Sequence, residues 1–176
     1  MATMLDRVHE LDEAVDKWLE PRRTAGLDRL FYGLSSAADH GMLWHAAGVL
    51  RAIRRREPSY ALRFSAALGV ESAITNVAVK SLFRRVRPQE HFTHDQPLPY
   101  NMRRPITSSF PSGHAATAFM CASVLSKGMR GGILWFALAG LVASSRVYVR
   151  MHHASDVVAG AALGLALGAG ARRVLD

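Results

Sequence analysis

Two histidines, three cations and an aspartate stand at positions where they could together handle a phosphoryl group. Ser112-Gly113-His114 follows Pro111 and opens an apolar run; Lys80 and Arg87 lie upstream, and Arg146, His152 and Asp156 lie downstream. Lys80, Arg87 and Arg146 suit a tetrahedral oxyanion, because Arg offers a planar fork of donors and Lys a compact charge. Ser112 and Gly113 sit where a helix should begin, and free N–H groups at the positive end of a helix dipole favour an anion. His152 and Asp156 share a face if their stretch is helical, so the carboxylate would hold the imidazole in one tautomer and stabilise its cation. His114 would then be free to donate a proton to a leaving oxygen. Each residue also has an ordinary reading. Lys80 and Arg87 could flank an apolar segment, Ser112 could be only an N-cap, and Asp156 could merely cap a helix. Spacing alone does not choose between His152 and the adjacent His153. The joint placement carries the argument.

The elements that must position these residues are apolar segments near 29–50, 60–79, 114–127, 132–149 and 157–173. Twenty helical residues cover roughly 30 Å, the hydrocarbon thickness of a bilayer. The first segment contains Asp39, His40 and His45, and the second Arg63, Glu71 and Asn76. A charge at mid-bilayer costs about 2.5–3.5 kcal/mol, so these side chains should face the bundle interior or lie near an interface. Gly160, Gly164 and Gly168 recur at a spacing that lets helices approach closely in lipid. Residues 4–20 read as an amphipathic helix with an apolar stripe of Leu5, Val8, Leu11, Val15, Trp18 and Leu19, either packed on the domain or lying in a membrane interface. If the five segments run antiparallel, Lys80–Arg87, Ser112–His114, Arg146 and His152–Asp156 all fall at one end. The loop 84–111 between the second and third segments holds five prolines and should be functional.

With 176 residues the chain fits a single domain, 1–176, and the pattern predicts an all-α polytopic transmembrane bundle; a soluble helical bundle is the competing reading. There are 22 Lys+Arg against 14 Asp+Glu, but the cations sit in loops between apolar runs rather than in an aromatic-interleaved patch, which argues against a nucleic-acid partner. The N-terminus carries charge from Asp6 onward and lacks the apolar core of a signal peptide. The single Cys121 excludes an internal disulfide. Abundant Ala and the preference for Arg over Lys read as a GC-rich bacterial gene, and hence a multi-pass protein of the cytoplasmic membrane. The basic run Arg51, Arg54, Arg55 and Arg56 lies at the end away from the candidate site, which tips that loop towards the cytoplasm and the site towards the outside.

Residues 80–156 resemble the type 2 phosphatidic acid phosphatase (PAP2) superfamily in three blocks. Lys80 with Arg87-Pro88 matches the first, Pro111-Ser112-Gly113-His114 the second, and Ser145-Arg146 with His152 and Asp156 the third. The resemblance implies a metal-independent phosphatase with no cofactor and a six-helix core. It implies His152, not His153, as nucleophile, with Asp156 orienting its ring and His114 protonating the leaving group. Lys80, Arg87, Ser112, Gly113 and Arg146 would hold the phosphate oxygens. The partner would be a lipid phosphate in the bilayer. A polyprenyl-linked phosphate such as decaprenylphosphoryl-5-phosphoribose is favoured over phosphatidic acid or phosphatidylglycerol phosphate. Arg103 and Arg104 are candidates for recognising a second anionic group. A vanadate-dependent haloperoxidase would share the site, and a catalytically silent membrane scaffold is the remaining alternative.

Overall fold

A computed structural model describes residues 3–88 and 107–175. Among them are seven α-helices: α1 Met4–Leu19, α2 Ala25–Ala37, α3 Met42–Arg55, α4 Pro58–Ser72, α5 Gly113–Ser126, α6 Ile133–Tyr148 and α7 Ala154–Leu175. Arg103 and Arg104 lie outside the described residues.

The apolar run at 29–50, expected as one segment, is two helices. Between α2 and α3 the chain turns through His40 and Gly41, with φ of 52° and 71°. Glycine adopts this left-handed backbone freely, and the polar Asp39-His40-Gly41 interrupts an otherwise apolar stretch. The turn redirects the chain. Both ends of α2 reach the last turn of α6: Arg23 Nη1 donates to the Tyr148 carbonyl (2.9 Å), and Arg146 Nη1 donates to Ser35 Oγ. The helix therefore lies across the end of α6, pinned further by the Phe31–Tyr148 ring stack.

From α3 onward the helices run alongside one another, and side-chain pairs give the register. Asp39 meets His114 at one end while Arg51 donates to the Leu125 and Lys127 carbonyls at the other, so α3 runs parallel to α5. Glu71 accepts from Thr117, and Asn76 lies against Gly113, so α4 returns antiparallel. Arg172 Nε donates to the Ser123 carbonyl (2.6 Å), at the end away from the candidate site. The bundle proper is thus five helices, α3–α7, and the six-helix core that the family resemblance implied is here five bundle helices with α1 and α2 laid over one end.

The glycine spacing does what it predicted. A Cβ on Gly160 would lie 2.3 Å from the Ser112 carbonyl oxygen, and one on Gly164 would lie 2.1 Å from that of Ala116. Only glycine permits α7 to lie this close to α5. Small residues face inward, while Val158 and Val174 of the same helix point outward, 69% and 75% exposed. Ile133, Leu134, Val70 and Val77 are exposed on neighbouring helices too. By length and composition one helix among the described residues, α7, could cross a membrane unaided; α6 is apolar but shorter.

The amphipathic helix expected at 4–20 is present as α1, and its apolar stripe is divided between an inner and an outer side. Thr3 and Asp6 form a capping box at its start. Leu5, Leu11 and Trp18 of its apolar stripe are exposed, whereas Val8, Val15 and Leu19 are half-buried on the face that carries the buried Asp12, with Leu19 packed against the Tyr32 and Tyr148 cluster. Part of the stripe therefore packs on the domain and part looks outward.

Candidate active site

The ends of α4, α5 and α6 and the start of α7 meet, with the α2–α3 turn, around a cavity of about 480 Å³. Lys80, Arg87, Gly113, His114, Arg146 and His152 all line it. The helix α4 widens into a π-helical stretch, Ala73–Val79, before a single 3₁₀ turn, Lys80–Leu82, delivers the Lys80 ammonium. Such π-bulges frequently mark functional sites. Here the bulge sets Asn76 against Gly113, where any Cβ would lie 2.5 Å from Asn76 Oδ1.

His152 is almost wholly buried, and its Nδ1 lies 2.7 Å from the Ser109 carbonyl oxygen. A carbonyl can only accept, so Nδ1 carries the proton and Nε2 keeps its lone pair. The nearest donor to Nε2 is Arg87 Nη1, at 3.4 Å. Asp156 was expected to orient this ring, but its Oδ2 stands 3.6 Å from Nδ1, beyond a hydrogen bond. That carboxylate accepts instead from the His153 backbone N–H (2.9 Å) and from Arg85 Nη1 (2.6 Å). The main chain sets the tautomer and Asp156 supplies a charge beside it. Burial pushes the His152 pKa well below its usual value, with Arg146, Arg87 and Lys80 adding to the effect against the opposing pull of Asp156. The ring is therefore neutral near pH 7.

The cations are held from behind. Arg87 donates to the carbonyls of Met151, Thr107 and Ser108, which fixes the plane of its guanidinium. Arg146 is buried, and its Nε has no hydrogen-bond partner among the described residues. Unpaired buried donors of this kind cost about 1–3 kcal/mol unless an anion satisfies them. Ser112 departs from its expected place. It caps α5 through Ala115 N–H, its own N–H donates to the Asp156 carbonyl, and it is not among the residues lining the cavity. Gly113 alone of the pair lines the cavity.

Burial, with the guanidiniums of Arg87 and Arg146 nearby, draws the Lys80 ammonium down from 10.5 to about 8. Its folded pKa lies below the unfolded one, so between these values the unfolded chain holds more protons and stability rises with pH. Anion binding moves the other way. The KM for a phosphate ester should climb as pH passes about 8, and Lys80→Arg, which stays charged, should flatten the climb. A wild-type KM that does not change through this range would remove Lys80 from phosphate binding.

His114 Nε2 meets Asp39 Oδ1 at 2.8 Å. Asp39 is the residue that sequence reasoning did not place in the site, though it noted that such a charge must face inward. The signal that could have found it is the polar Asp-His-Gly break in an apolar run. Asn76, flagged likewise, lines the cavity, and Glu71 is buried, accepting from Thr75 and Thr117. His153 points elsewhere: its Nε2 lies 3.2 Å from the Val86 carbonyl, on the side facing α1. Among the described residues no three His, Cys, Asp or Glu side chains are grouped as metal ligands would be.

The family model of the PAP2 superfamily matches residues 60–176. The chain belongs to the PAP2 superfamily. The match contains the parts of the site on α4–α7 and omits the α2–α3 turn that carries Asp39. Among PAP2 relatives, decaprenylphosphoryl-5-phosphoribose phosphatase of Mycobacterium tuberculosis is 37% identical over 142 residues, which cover 78% of this chain and 74% of that protein. Lipid A 1-phosphatase of Porphyromonas gingivalis is 39% identical over 66 residues, 35% of this chain and 15% of that one. The crystal structure of the transmembrane PAP2 type phosphatidylglycerolphosphate phosphatase from Bacillus subtilis superposes with a TM-score of 0.76 at 25% identity, covering 96% of this chain and 86% of the other. That of Aquifex aeolicus LpxE gives 0.73, also at 25% identity, covering 93% and 95%. The chain is thus a phosphatase of the PAP2 type with the all-helical PAP2 fold.

Proposed function

We propose that this PAP2 phosphatase hydrolyses a polyprenyl-linked phosphate in the bacterial cytoplasmic membrane through a phosphohistidine. The observation that carries the chemistry is the unprotonated Nε2 of buried His152 on a cavity walled by Lys80, Arg87 and Arg146. The Nε2 lone pair attacks phosphorus in line, and the ester P–O bond breaks as the N–P bond forms. His114, entering the step as an imidazolium whose Nε2–H is held by Asp39, gives its Nδ1 proton to the departing oxygen. Water then attacks phosphorus, returning a proton to His114, and the N–P bond breaks. The three cations and the Gly113 N–H hold the equatorial oxygens while charge shifts from the ester to the leaving group. Asp156 stabilises the positive charge that His152 carries once it is phosphorylated.

The polyprenyl assignment rests on the 37% relative, whose name specifies a polyprenyl-linked phosphopentose. A membrane setting is supported by the outward valines and leucines around a glycine-lined interior, the reverse of a water-facing bundle. Arg51 and Arg172 at the far end support a cytoplasmic placement of that end and a site on the outer side. Arg103 and Arg104 would meet a second anionic group of the headgroup. The Bacillus subtilis likeness favours phosphatidylglycerol phosphate as the second reading.

Purified protein in detergent with a chelator should release phosphate from decaprenylphosphoryl-5-phosphoribose with a higher kcat/KM than from phosphatidylglycerol phosphate, phosphatidic acid or a polyprenyl diphosphate. A higher value for phosphatidylglycerol phosphate would install the second reading. No release from any of the four would refute both.

A further inference from the structure

The contact between α1 and the start of α7 is built from charge. Asp12, buried between the half-buried Val8 and Val15 on the inner face of α1, accepts from the backbone N–H of Ser155 (2.9 Å), from its hydroxyl (2.6 Å) and from Arg85 Nη2 (2.6 Å). The other terminal nitrogen of Arg85, Nη1, donates to Asp156 Oδ1 and to Ser155 Oγ, both at 2.6 Å. One guanidinium therefore bridges two carboxylates, one on the N-terminal helix and one beside the nucleophile. Its backbone is fixed as well, since Arg85 N–H donates to Ser108 Oγ and its carbonyl accepts from Ser109 N–H. Ser109 is the residue whose carbonyl holds His152.

We infer that Asp12 and Arg85 are positioning residues for the nucleophile, and that α1 belongs to the catalytic apparatus through them. The inference rests on the reading of His152 as nucleophile and Asp156 as its charge partner. Arg85 has two jobs at once. It holds the Asp156 carboxylate by one oxygen, leaving the other turned to the His153 N–H and the His152 ring. It also keeps the Ser108–Ser109 segment where the Ser109 carbonyl can accept from Nδ1. Asp12 fixes Arg85 in turn: without that carboxylate, Nη2 loses the hydrogen bond that sets the direction of the fork. It also caps α7 from outside, taking the Ser155 N–H that would otherwise be an orphan of the first turn. A bridge of this kind constrains geometry because guanidinium and carboxylate are both planar and bond at fixed angles. The simpler alternative is an anchor: the same ion pairs would hold α1 to the bundle and do nothing for the reaction.

Steady-state kinetics with the best lipid substrate separate the two. Asp12→Asn keeps size and shape, removes the charge, and should lower kcat by about 10- to 100-fold while KM stays within about twofold, the pattern of a misplaced reacting group. Arg85→Met should fall at least as far, and Arg85→Lys should recover part of the loss, since a point charge can hold Asp156 but cannot bridge both carboxylates. The double variant should be no worse than Arg85→Met alone, because the two residues act as one unit. Glu13→Gln, on the exposed side of the same helix, should match wild type. Rates are taken on the monodisperse fraction, so a loss of folded protein does not imitate a loss of turnover. An Asp12→Asn protein with wild-type kcat and a lowered melting temperature would make α1 an anchor and overturn the inference. His152→Ala distinguishes that failure from a deeper one: if it retains activity, the nucleophile is misassigned whatever Asp12 does.

Discussion

His152→Ala should lose at least about 10³-fold in kcat and form no acid-labile phosphoenzyme, because His152 Nε2 is the imidazole nitrogen that stands beside the Arg87 guanidinium with its lone pair free for phosphorus. The ring is buried, its Nδ1 proton is committed to the Ser109 carbonyl, and its Nε2 stands 3.4 Å from an Arg87 nitrogen that would also touch a bound phosphate oxygen. Of the three other histidines on the wall, His40, His45 and His114, it is His114 whose Nε2 is engaged with Asp39, so it holds a proton where His152 holds a lone pair. The comparison that decides the matter is His153→Ala. That ring sits outside the cavity against Val86, and its loss should leave the greater part of the activity. Rapid-quench measurement of phosphate bound to the protein checks both variants. Normal phosphoenzyme in His152→Ala, or its loss in His153→Ala, would reverse the assignment.

Gly164→Ala should be the most damaging single methyl in the chain. Its Cβ would sit 2.1 Å from the Ala116 carbonyl oxygen, a backbone atom that cannot rotate away, so α5 and α7 must separate. Overpacking of this kind costs about 1–3 kcal/mol, or roughly 2–12 °C in Tm for a chain of this size. The internal control is Gly170→Ala on the same helix. Nothing lies within 4 Å of a Cβ there, and alanine should stabilise by about 0.4–1 kcal/mol through the unfolded chain and helix propensity. Thermal unfolding in one detergent reads both. Equal melting temperatures for the two variants would mean that the close α5–α7 approach is absent.

Much of this was legible in the sequence because the motifs sit at ends of apolar segments, where topology alone brings them together. The glycine spacing fixed which face of α7 turns inward, and the polar side chains Glu71, Asp39 and Asn76 betrayed a place in the bundle interior or near an interface by the cost of the alternative. What the sequence concealed depends on contacts between residues far apart in the chain. The Ser109 carbonyl as partner of His152 spans 43 residues and involves a main-chain atom, which no side-chain pattern can announce. The Asp39–His114 pair needs the chain break at His40-Gly41, and a hydropathy scan smooths across a break that short. The facing of α1 stayed open between protein and membrane interface for a related reason. Periodicity reports that a helix has an apolar side but does not say whether protein or lipid will cover it.

That facing has a consequence for the enzyme as a whole. In a water-soluble protein a peripheral helix is held by its greasy side, and solvent presses it onto the core. Here Leu5, Leu11 and Trp18 look away from the protein, and the inner face of α1 buries a carboxylate between half-buried valines. Much of what fastens α1 is therefore directional: the ion pair to Arg85 and the cap on Ser155 hold at one register only, where greasy contact alone would let the helix slide.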